Sequence, residues 1–375
     1  MDFSELFNEL AKGLTHFTVA NAFMIAAGAV LVALAVIKEY EPVLLLPIGF
    51  GCMLANVPLT GMTDGQGLFG VLYAAGIRTE LFPLLIFVGV GAMIDFSPLL
   101  AQPKMVLLGA AGQFGIFGTL ILATMLGFPL NEAASIGVIG AIDGPTAIFV
   151  ATKLAPRLLA PIAVAAYSYM SLIPIIQPPL MKLMTTKKER MIRMEYAPRP
   201  VSRRALVAFP VIVTLIVGLL VPDAMPLISM LMLGNLLRES QVVERLRNSA
   251  ENEIINVATL FLGLTIGSTM SAASFLNWDT IGILVLGLLA FGLDTVAGLL
   301  FGKLMSALSG HKINPLIGAA GISAFPMAGR LAAKMAQDED FENFILMHAM
   351  GANTAGQLGS VMAGGVLLAL VSGLV

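Results

Sequence analysis

Long apolar stretches separated by short polar breaks set the pattern of this sequence, and their lengths suit a bilayer better than a soluble core. The runs Phe17–Ile37, Leu81–Asp95, Met105–Leu126, Arg157–Leu183, Ala205–Val221, Pro222–Leu237, Val257–Leu276, Ile281–Leu308 and Phe344–Val375 read as membrane helices. Most approach or exceed the roughly 20 residues that cross the hydrocarbon layer. Val43–Asn56 is a shorter apolar piece, and Gly-rich Val57–Glu80 predicts a loop with a short interfacial helix. Arg157–Leu183 is interrupted by Pro161, Pro174, Pro178 and Pro179. The last run is expected to break near Gly351–Gly356. Met105–Leu126 reads as a clean span with Gly109, Gly112, Gly115 and Gly118 at every third position. Small residues so spaced let membrane helices approach closely, and packing explains them better than a ligand does.

Two interruptions differ from the rest. Within Asn131–Leu154, the motif Gly140-Ala-Ile-Asp-Gly-Pro-Thr-Ala-Ile-Phe149 sets Asp143 beside the helix breakers Gly144 and Pro145. A carboxylate at membrane depth is costly and marks an ion or proton path more often than a structural pairing. Broken backbone at that depth frees carbonyl groups and must be covered by protein or line a water-filled cavity. Together they predict a small-cation site, for Na⁺ or H⁺. The second interruption, Lys312–Met335, contains Asn314-Pro-Leu-Ile-Gly-Ala-Ala-Gly-Ile-Ser-Ala-Phe-Pro-Met-Ala-Gly-Arg330.

These two segments belong to an internal repeat. Gly140–Ala155 aligns with Gly321–Ala336, Pro47–Asn56 with Pro226–Asn235, and Gly91–Leu100 more weakly with Gly267–Leu276, all in order and at nearly one spacing. The predicted fold is an all-α polytopic membrane protein. Two repeats, residues 1–183 and 205–375, flank a basic loop at 184–204, and their broken helices meet near mid-membrane. An odd number of spans in each unit would make the copies inverted. Such repeats are typical of secondary transporters, with the site between the two breaks. The shared glycines and prolines read as scaffold. Asp143, Ser323 and Arg330 are not shared between the copies and read as the working groups.

Composition agrees with a membrane protein: 58% hydrophobic, 12% charged, mean hydropathy +0.91. The cations cluster in Met184–Arg204 (Lys187, Lys188, Arg190, Arg193, Arg199, Arg203, Arg204), which places that loop in the cytoplasm of a cell whose inner membrane the chain crosses. Nothing suggests nucleic acid as a partner. A single cysteine, Cys52, excludes an internal disulfide, and His16, His311 and His348 lack metal-ligand spacing. Asp2, Glu5 and Glu9 outweigh Lys12, so the N-terminus does not read as a cleavable signal. There is no Walker A motif and no nucleophile motif. Met181-Lys182-Leu183 lacks the soluble β-domain that a biotinylation site requires.

Other polar groups fall inside apolar runs. Asn314 and Ser323 offer neutral oxygens suited to a hard cation, or else satisfy broken backbone. Arg330 is a permanent cation, able to hold a carboxylate in a bidentate fork or to snorkel to the surface. Tyr167 and Tyr169 lie mid-span, where a buried phenol is most often structural. Asp294 is a second intramembrane carboxylate, either functional or paired with a group such as Lys303. Lys153 and Lys334 fall near helix ends, where snorkelling is expected.

At this point the motifs carry a resemblance. Residues 140–148, Ala166-Tyr-Ser-Tyr-Met-Ser-Leu-Ile-Pro-Ile-Ile-Gln-Pro-Pro179, 314–330 and Tyr40–Gly51 resemble the β subunits of sodium-pumping, biotin-dependent decarboxylases acting on oxaloacetate, methylmalonyl-CoA, malonate or glutaconyl-CoA. The likeness covers nearly the whole chain. It implies a subunit that decarboxylates carboxybiotin, brought by a biotin-carrier subunit, and couples this to Na⁺ export. The implied partners are that carrier, a carboxyltransferase α subunit and a small membrane subunit, in an oligomeric assembly within the lipid bilayer. It also implies functional roles for Asp143, Tyr169, Asn314, Gly318, Ser323 and Arg330. On this reading Asp143, Asn314 and Ser323 hold Na⁺, Arg330 and Asn314 receive carboxybiotin, a hydroxyl of Tyr169 or Ser323 delivers a proton, and Gly144, Pro145 and Gly318 shape the backbone. Asp294 and Tyr167 gain nothing from the likeness.

Two rivals stand beside this reading. A Na⁺-coupled carboxylate symporter would also use repeats, breaks and an arginine, but would work without a biotin carrier. A passive anchor would have no use for Asp143, Asp294 and Arg330 at membrane depth. The chain lacks the longer extra stretches of oxaloacetate-type members, which favours glutaconyl-CoA or methylmalonyl-CoA as the substrate of the complex.

Overall fold

Where lipid offers backbone groups no partner, long apolar runs become helices, and the described residues of this chain contain helices and no strands. The computed structural model describes residues 11–195, 201–275 and 277–373. The acidic positions Asp2, Glu5 and Glu9 and the loop cation Arg199 lie outside them. The principal helices are α1 Val19–Ile37, α2 Pro42–Ala55, α3 Leu81–Met93, α4 Met105–Ala111, α5 Phe114–Met125, α6 Leu130–Gly137, α7 Gly144–Leu154, α8 Leu159–Met184, α9 Arg203–Leu220, α10 Met225–Ser240, α11 Ile255–Ser268, α12 Trp278–Leu308, α13 Leu316–Ala319, α14 Met327–Glu339 and α15 Leu346–Ser372. Among the described residues, five helical stretches are long and apolar enough to cross a membrane, or up to seven if each of two bent pairs is one span. The protein is a multi-pass membrane protein.

Val57–Glu80 holds the expected short helix, Leu68–Leu72, which runs into a π turn at Tyr73–Ile77, and this piece meets α3 at 59°. Two expectations need correction. Met105–Leu126 is not clean, because the helix is interrupted at Gly112-Gln113 between α4 and α5. There the Gln113 side chain donates to the carbonyls of Gly109 (3.0 Å) and Gly356 (3.2 Å), and a Cβ on Gly112 would strike the backbone of Gly321. Conversely, α15 runs unbroken through Gly351–Gly356. Its glycines serve close approach: a Cβ on Gly356 would also strike Gly321. The glycine spacing in α4–α5 is a packing device as well, with Gly109 against Ala355 and Gly115 against Ala290 and Asp294.

Ion pairs mark the two ends of the molecule. At the start of α12, Arg157 pairs with Asp279 (3.0 Å) and with Glu132 of α6 (2.5 Å), and Lys153 pairs nearby with Glu80 (3.3 Å). Near the end of α12, Lys303 pairs with Glu189 (3.2 Å), beside Arg190–Glu339 (2.7 Å) and Arg193–Asp340 (2.6 Å). A helical rise of about 1.5 Å per residue puts Asp279 and Lys303 roughly 36 Å apart, about the thickness of a bilayer core and its interfaces. The second group contains Arg190 and Arg193 of the basic loop and marks the basic end of the molecule.

Two broken hairpins descend from these ends. In the first, α6 and α7 are tied at their open end by Asn131 Nδ2 donating to the Leu154 carbonyl at 2.7 Å. In the second, Asn314, just ahead of α13, is bound to the basic loop, and α14 returns to the same loop, where its last residue Glu339 pairs with Arg190. The two tips touch through Ser323 Oγ, which donates to the Ala141 carbonyl. The aligned asparagines also make reciprocal contacts: Asn56 Nδ2 donates to the Met270 carbonyl (2.8 Å) and Asn235 Nδ2 to the Ile94 carbonyl (3.0 Å).

Candidate functional site

The first tip is built by its sequence. The end of α6 tightens into a 3₁₀ turn at Val138–Ala141, Ile142 is left-handed (φ 53°), and Asp143 is extended ahead of α7. Pro145 sits in the first turn of α7, where its missing N–H costs nothing. Asp143 therefore projects from the break, buried at 7% exposure. Three donors converge on its Oδ2: Thr146 Oγ1 at 2.5 Å, Gln357 Nε2 at 3.0 Å and Ser360 Oγ at 3.2 Å. Among the described residues no side chain donates to the other oxygen. A carboxylate with one oxygen anchored and the other open to ligation suits a hard cation.

A cavity of about 340 Å³ lies against this group, between the first hairpin, α2, α3, α8 and α11. Asp143, Tyr167, Ser323 and Gln357 line its inner part. Ile86, Val90 and Met93 then carry it along α3 toward the basic end, where Arg238 Nη1 donates to the Met93 carbonyl at 3.1 Å. Among the described residues, no group of histidine, cysteine, aspartate and glutamate side chains is spaced to hold a metal ion by itself. Any cation here would need mixed carboxylate, hydroxyl and carbonyl oxygens.

The predicted site residues separate into two groups. Asp143, Gly144, Pro145, Tyr167 and Ser323 come together at the cavity. Gly144 has to be glycine, since a Cβ would meet the Tyr167 ring. Tyr169 lies outside the lining: its hydroxyl donates to the Leu284 carbonyl of α12, and its ring packs on Gly287. Asn314 is also elsewhere. Its amide donates to the carbonyls of Arg190 (2.8 Å) and Ile192 (2.9 Å), while its oxygen accepts from the Leu316 N–H (3.0 Å). It fastens the second hairpin to the basic loop. Gly318 lies against Gly298 of α12, each in the space the other's Cβ would need.

Arg330 is exposed in the first turn of α14, with no ion-pair or hydrogen-bond partner among the described residues. The helix N-terminus adds partial positive charge at the same place, so an anion is favoured there. Asp294 is fully buried on α12. Its partner is the Gly115 N–H (2.5 Å), freed by the break between α4 and α5, and its Oδ2 has no partner among the described residues. The suggested pairing with Lys303 does not occur, because Lys303 is engaged with Glu189. Sequence reasoning missed Gln357 and Ser360. It also missed Asn353, whose Nδ2 donates to the Ile322 carbonyl at the second tip (2.7 Å). The available signal was Asn353, Gln357 and Ser360 spaced along one face of α15.

Comparison with known proteins adds a consistent picture. A family model described as the Na⁺-transporting oxaloacetate decarboxylase beta subunit matches residues 20–371. The methylmalonyl-CoA decarboxylase subunit beta of Veillonella parvula is 54% identical over 361 residues, covering 96% of each chain. The glutaconyl-CoA decarboxylase subunit beta of Acidaminococcus fermentans is 53% identical over 362 residues, again 96% of each. The oxaloacetate decarboxylase beta chain of Klebsiella pneumoniae is 46% identical over 420 aligned positions, covering 96% of this chain and 97% of that one. That last alignment is longer than the present chain, so the oxaloacetate relative carries stretches missing here.

Proposed function

Since this chain belongs to the family of Na⁺-transporting oxaloacetate decarboxylase beta subunits, we propose that it decarboxylates carboxybiotin on a separate carrier subunit and couples that step to Na⁺ export across a cell inner membrane. The substrate of the complex is an acyl-CoA, methylmalonyl-CoA or glutaconyl-CoA. Identities of 54% and 53% with the β subunits named for those substrates support this, as does the shorter chain relative to the oxaloacetate type. The partners are a biotin carrier, a carboxyltransferase α subunit and a small membrane subunit, in an oligomer.

The observation that carries the reading is the meeting of two hairpin tips from opposite ends of the molecule at one buried carboxylate. We read residues 1–183 and 205–375 as two copies related by inversion. The reciprocal asparagine contacts, each reaching from one unit to the other, support that relation. With the basic loop in the cytoplasm, the cavity beside Asp143 runs toward the cytoplasm, the side from which exported Na⁺ must come. Asp143 and Ser323 hold the ion.

Arg330 receives the carboxylate of carboxybiotin. Its exposed guanidinium near a helix N-terminus, without a partner among the described residues, fits that anion. Decarboxylation of carboxybiotin releases CO₂ and consumes a proton at the ureido nitrogen. Asp143 supplies the link between the two movements, because protonation removes the charge that holds Na⁺. Tyr169 serves the reaction by fixing α12 against α8, and Asn314 by fixing the second hairpin.

The test is gentle purification from the native membrane. A biotinylated protein is expected to copurify on a streptavidin blot, and avidin is expected to block Na⁺ uptake by inverted vesicles. Organic-acid-driven Na⁺ uptake indifferent to avidin, with no biotin protein, would instead identify a symporter.

A further inference from the structure

Three carboxylates line the cavity that leads to Asp143: Asp143 itself, Glu41 and Glu251. They come from three separate elements, and among the described residues no lysine, arginine or histidine lines the same space. Glu251 is compensated by Arg247 at 2.9 Å. Glu41 is not, for among the described residues it has no ion pair and makes no capping hydrogen bond to α2, the helix it precedes. Asp143 is buried at the inner part of the cavity, Glu41 and Glu251 are half-buried, and neighbouring Asn256 is exposed. The cavity therefore grades from buried to accessible, with Glu41 between. Tyr167 lines the same cavity as both Asp143 and Glu41.

The backbone at Glu41 is unusual for the residue it carries. Its φ of 38° and ψ of 60° are left-handed, a region that glycine and asparagine occupy more cheaply. Pro42 follows directly and restricts the turn further. Conformation does not call for a glutamate at this position, and among the described residues neither helix capping nor an ion pair uses it. Its side chain faces the approach to Asp143.

We propose that Glu41 is the outer carboxylate of the Na⁺ path, gathering Na⁺ at the mouth of the cavity and passing it inward to Asp143. This rests on the reading of Asp143 as the Na⁺ site. A low-dielectric cleft lined by one sign of charge concentrates counter-ions and repels co-ions. The same field disfavours carboxybiotin, an anion, in this cavity. The ion and the carboxyl group would then arrive by different routes, the latter at Arg330, which does not line the cavity.

The experiment uses the assembled decarboxylase in proteoliposomes, with decarboxylation and ²²Na⁺ uptake measured against Na⁺ concentration. Glu41→Gln is expected to raise the half-activating Na⁺ concentration about three- to ten-fold at low ionic strength, and added choline chloride should shrink that difference by screening. Glu41→Asp should stay within about two-fold of wild type, since it keeps the charge. Val43→Lys adds a cation to the same lining and leaves Glu41 in place. It should raise the half-activating concentration as well, and it serves if Glu41→Gln does not assemble. Unchanged half-activation in Glu41→Gln, or a lower maximal rate insensitive to Na⁺ and to ionic strength, overturns the proposal. Asp143→Asn separates the two levels. If it loses Na⁺ activation while Glu41→Gln matches wild type, only the role of Glu41 fails. If it keeps Na⁺ activation, the site reading fails and the role of Glu41 with it.

Discussion

Replacing Asp143 with asparagine isolates charge from shape. The two side chains are nearly isosteric, and the three donors from Thr146, Gln357 and Ser360 still find an oxygen between them. Hydrogen bonds to a charged acceptor contribute about 1.5–3 kcal/mol and neutral ones about 0.5–1.5, so the three contacts weaken by roughly 3 kcal/mol together. Removing a buried negative charge recovers desolvation free energy of several kcal/mol. The two changes oppose each other, and the folded protein is expected to keep its stability within about 1–2 kcal/mol. Cation binding has no such compensation. A carboxylate oxygen at about 2.4 Å attracts a monovalent ion by roughly 7 kcal/mol at an effective dielectric of 20. Most of this offsets dehydration of the ion. Even about 3 kcal/mol of net loss moves half-activation more than 100-fold. The assay is Na⁺-stimulated decarboxylation with ²²Na⁺ uptake by the reconstituted complex, beside thermal unfolding of the purified subunit in detergent. A variant that pumps Na⁺ like wild type would falsify the Asp143 assignment, and one that loses its thermal transition would show that the carboxylate is structural.

Three further changes probe the supports of the site. Gly318→Ala drives a methyl into the backbone of Gly298, and overpacking of this kind costs about 1–3 kcal/mol; an unfolding midpoint equal to wild type would mean that the α12–α13 contact yields freely. Asn314→Ala removes two donors to the carbonyls of Arg190 and Ile192, although Asn343 still reaches both (3.1 and 3.2 Å). A loss of about 1–3 kcal/mol is expected, with faster protease cleavage in the basic loop as the readout, and unaltered cleavage kinetics would argue against the anchoring role. Arg330→Ala touches no partner among the described residues, so stability should change by no more than about 0.5 kcal/mol. Carboxybiotin decarboxylation should nevertheless be lost, and normal turnover would remove Arg330 from the reaction.

The parts of the architecture that were legible in the sequence obey local rules. Apolar length gave the five to seven helical stretches able to cross a membrane, although the runs Pro222–Leu237 and Val257–Leu276 fold as helices of only 16 and 14 residues, and the glycine spacing in α4–α5 gave close packing. Gly144-Pro145 gave the break at Asp143, since each acts on its own few residues of backbone. The failures share a different cause. The break at Gly112-Gln113 carries no proline, and it exists because Gln113 finds acceptors in Gly109 and Gly356 while Gly321 crowds Gly112. The expected break at Gly351–Gly356 is absent for the converse reason: those glycines admit a neighbouring backbone and leave the helix ladder of α15 intact. Tyr167 and Tyr169 lie two residues apart on one bent helix, yet only packing decides that the first lines the cavity and the second reaches Leu284. Gln357 and Ser360, which hold Asp143 in place, are 214 and 217 residues from it. A local signal marks the carboxylate. Its coordination belongs to the fold, because the residues that fix one oxygen and leave the other open come from a helix that only the folded pair of hairpins brings alongside.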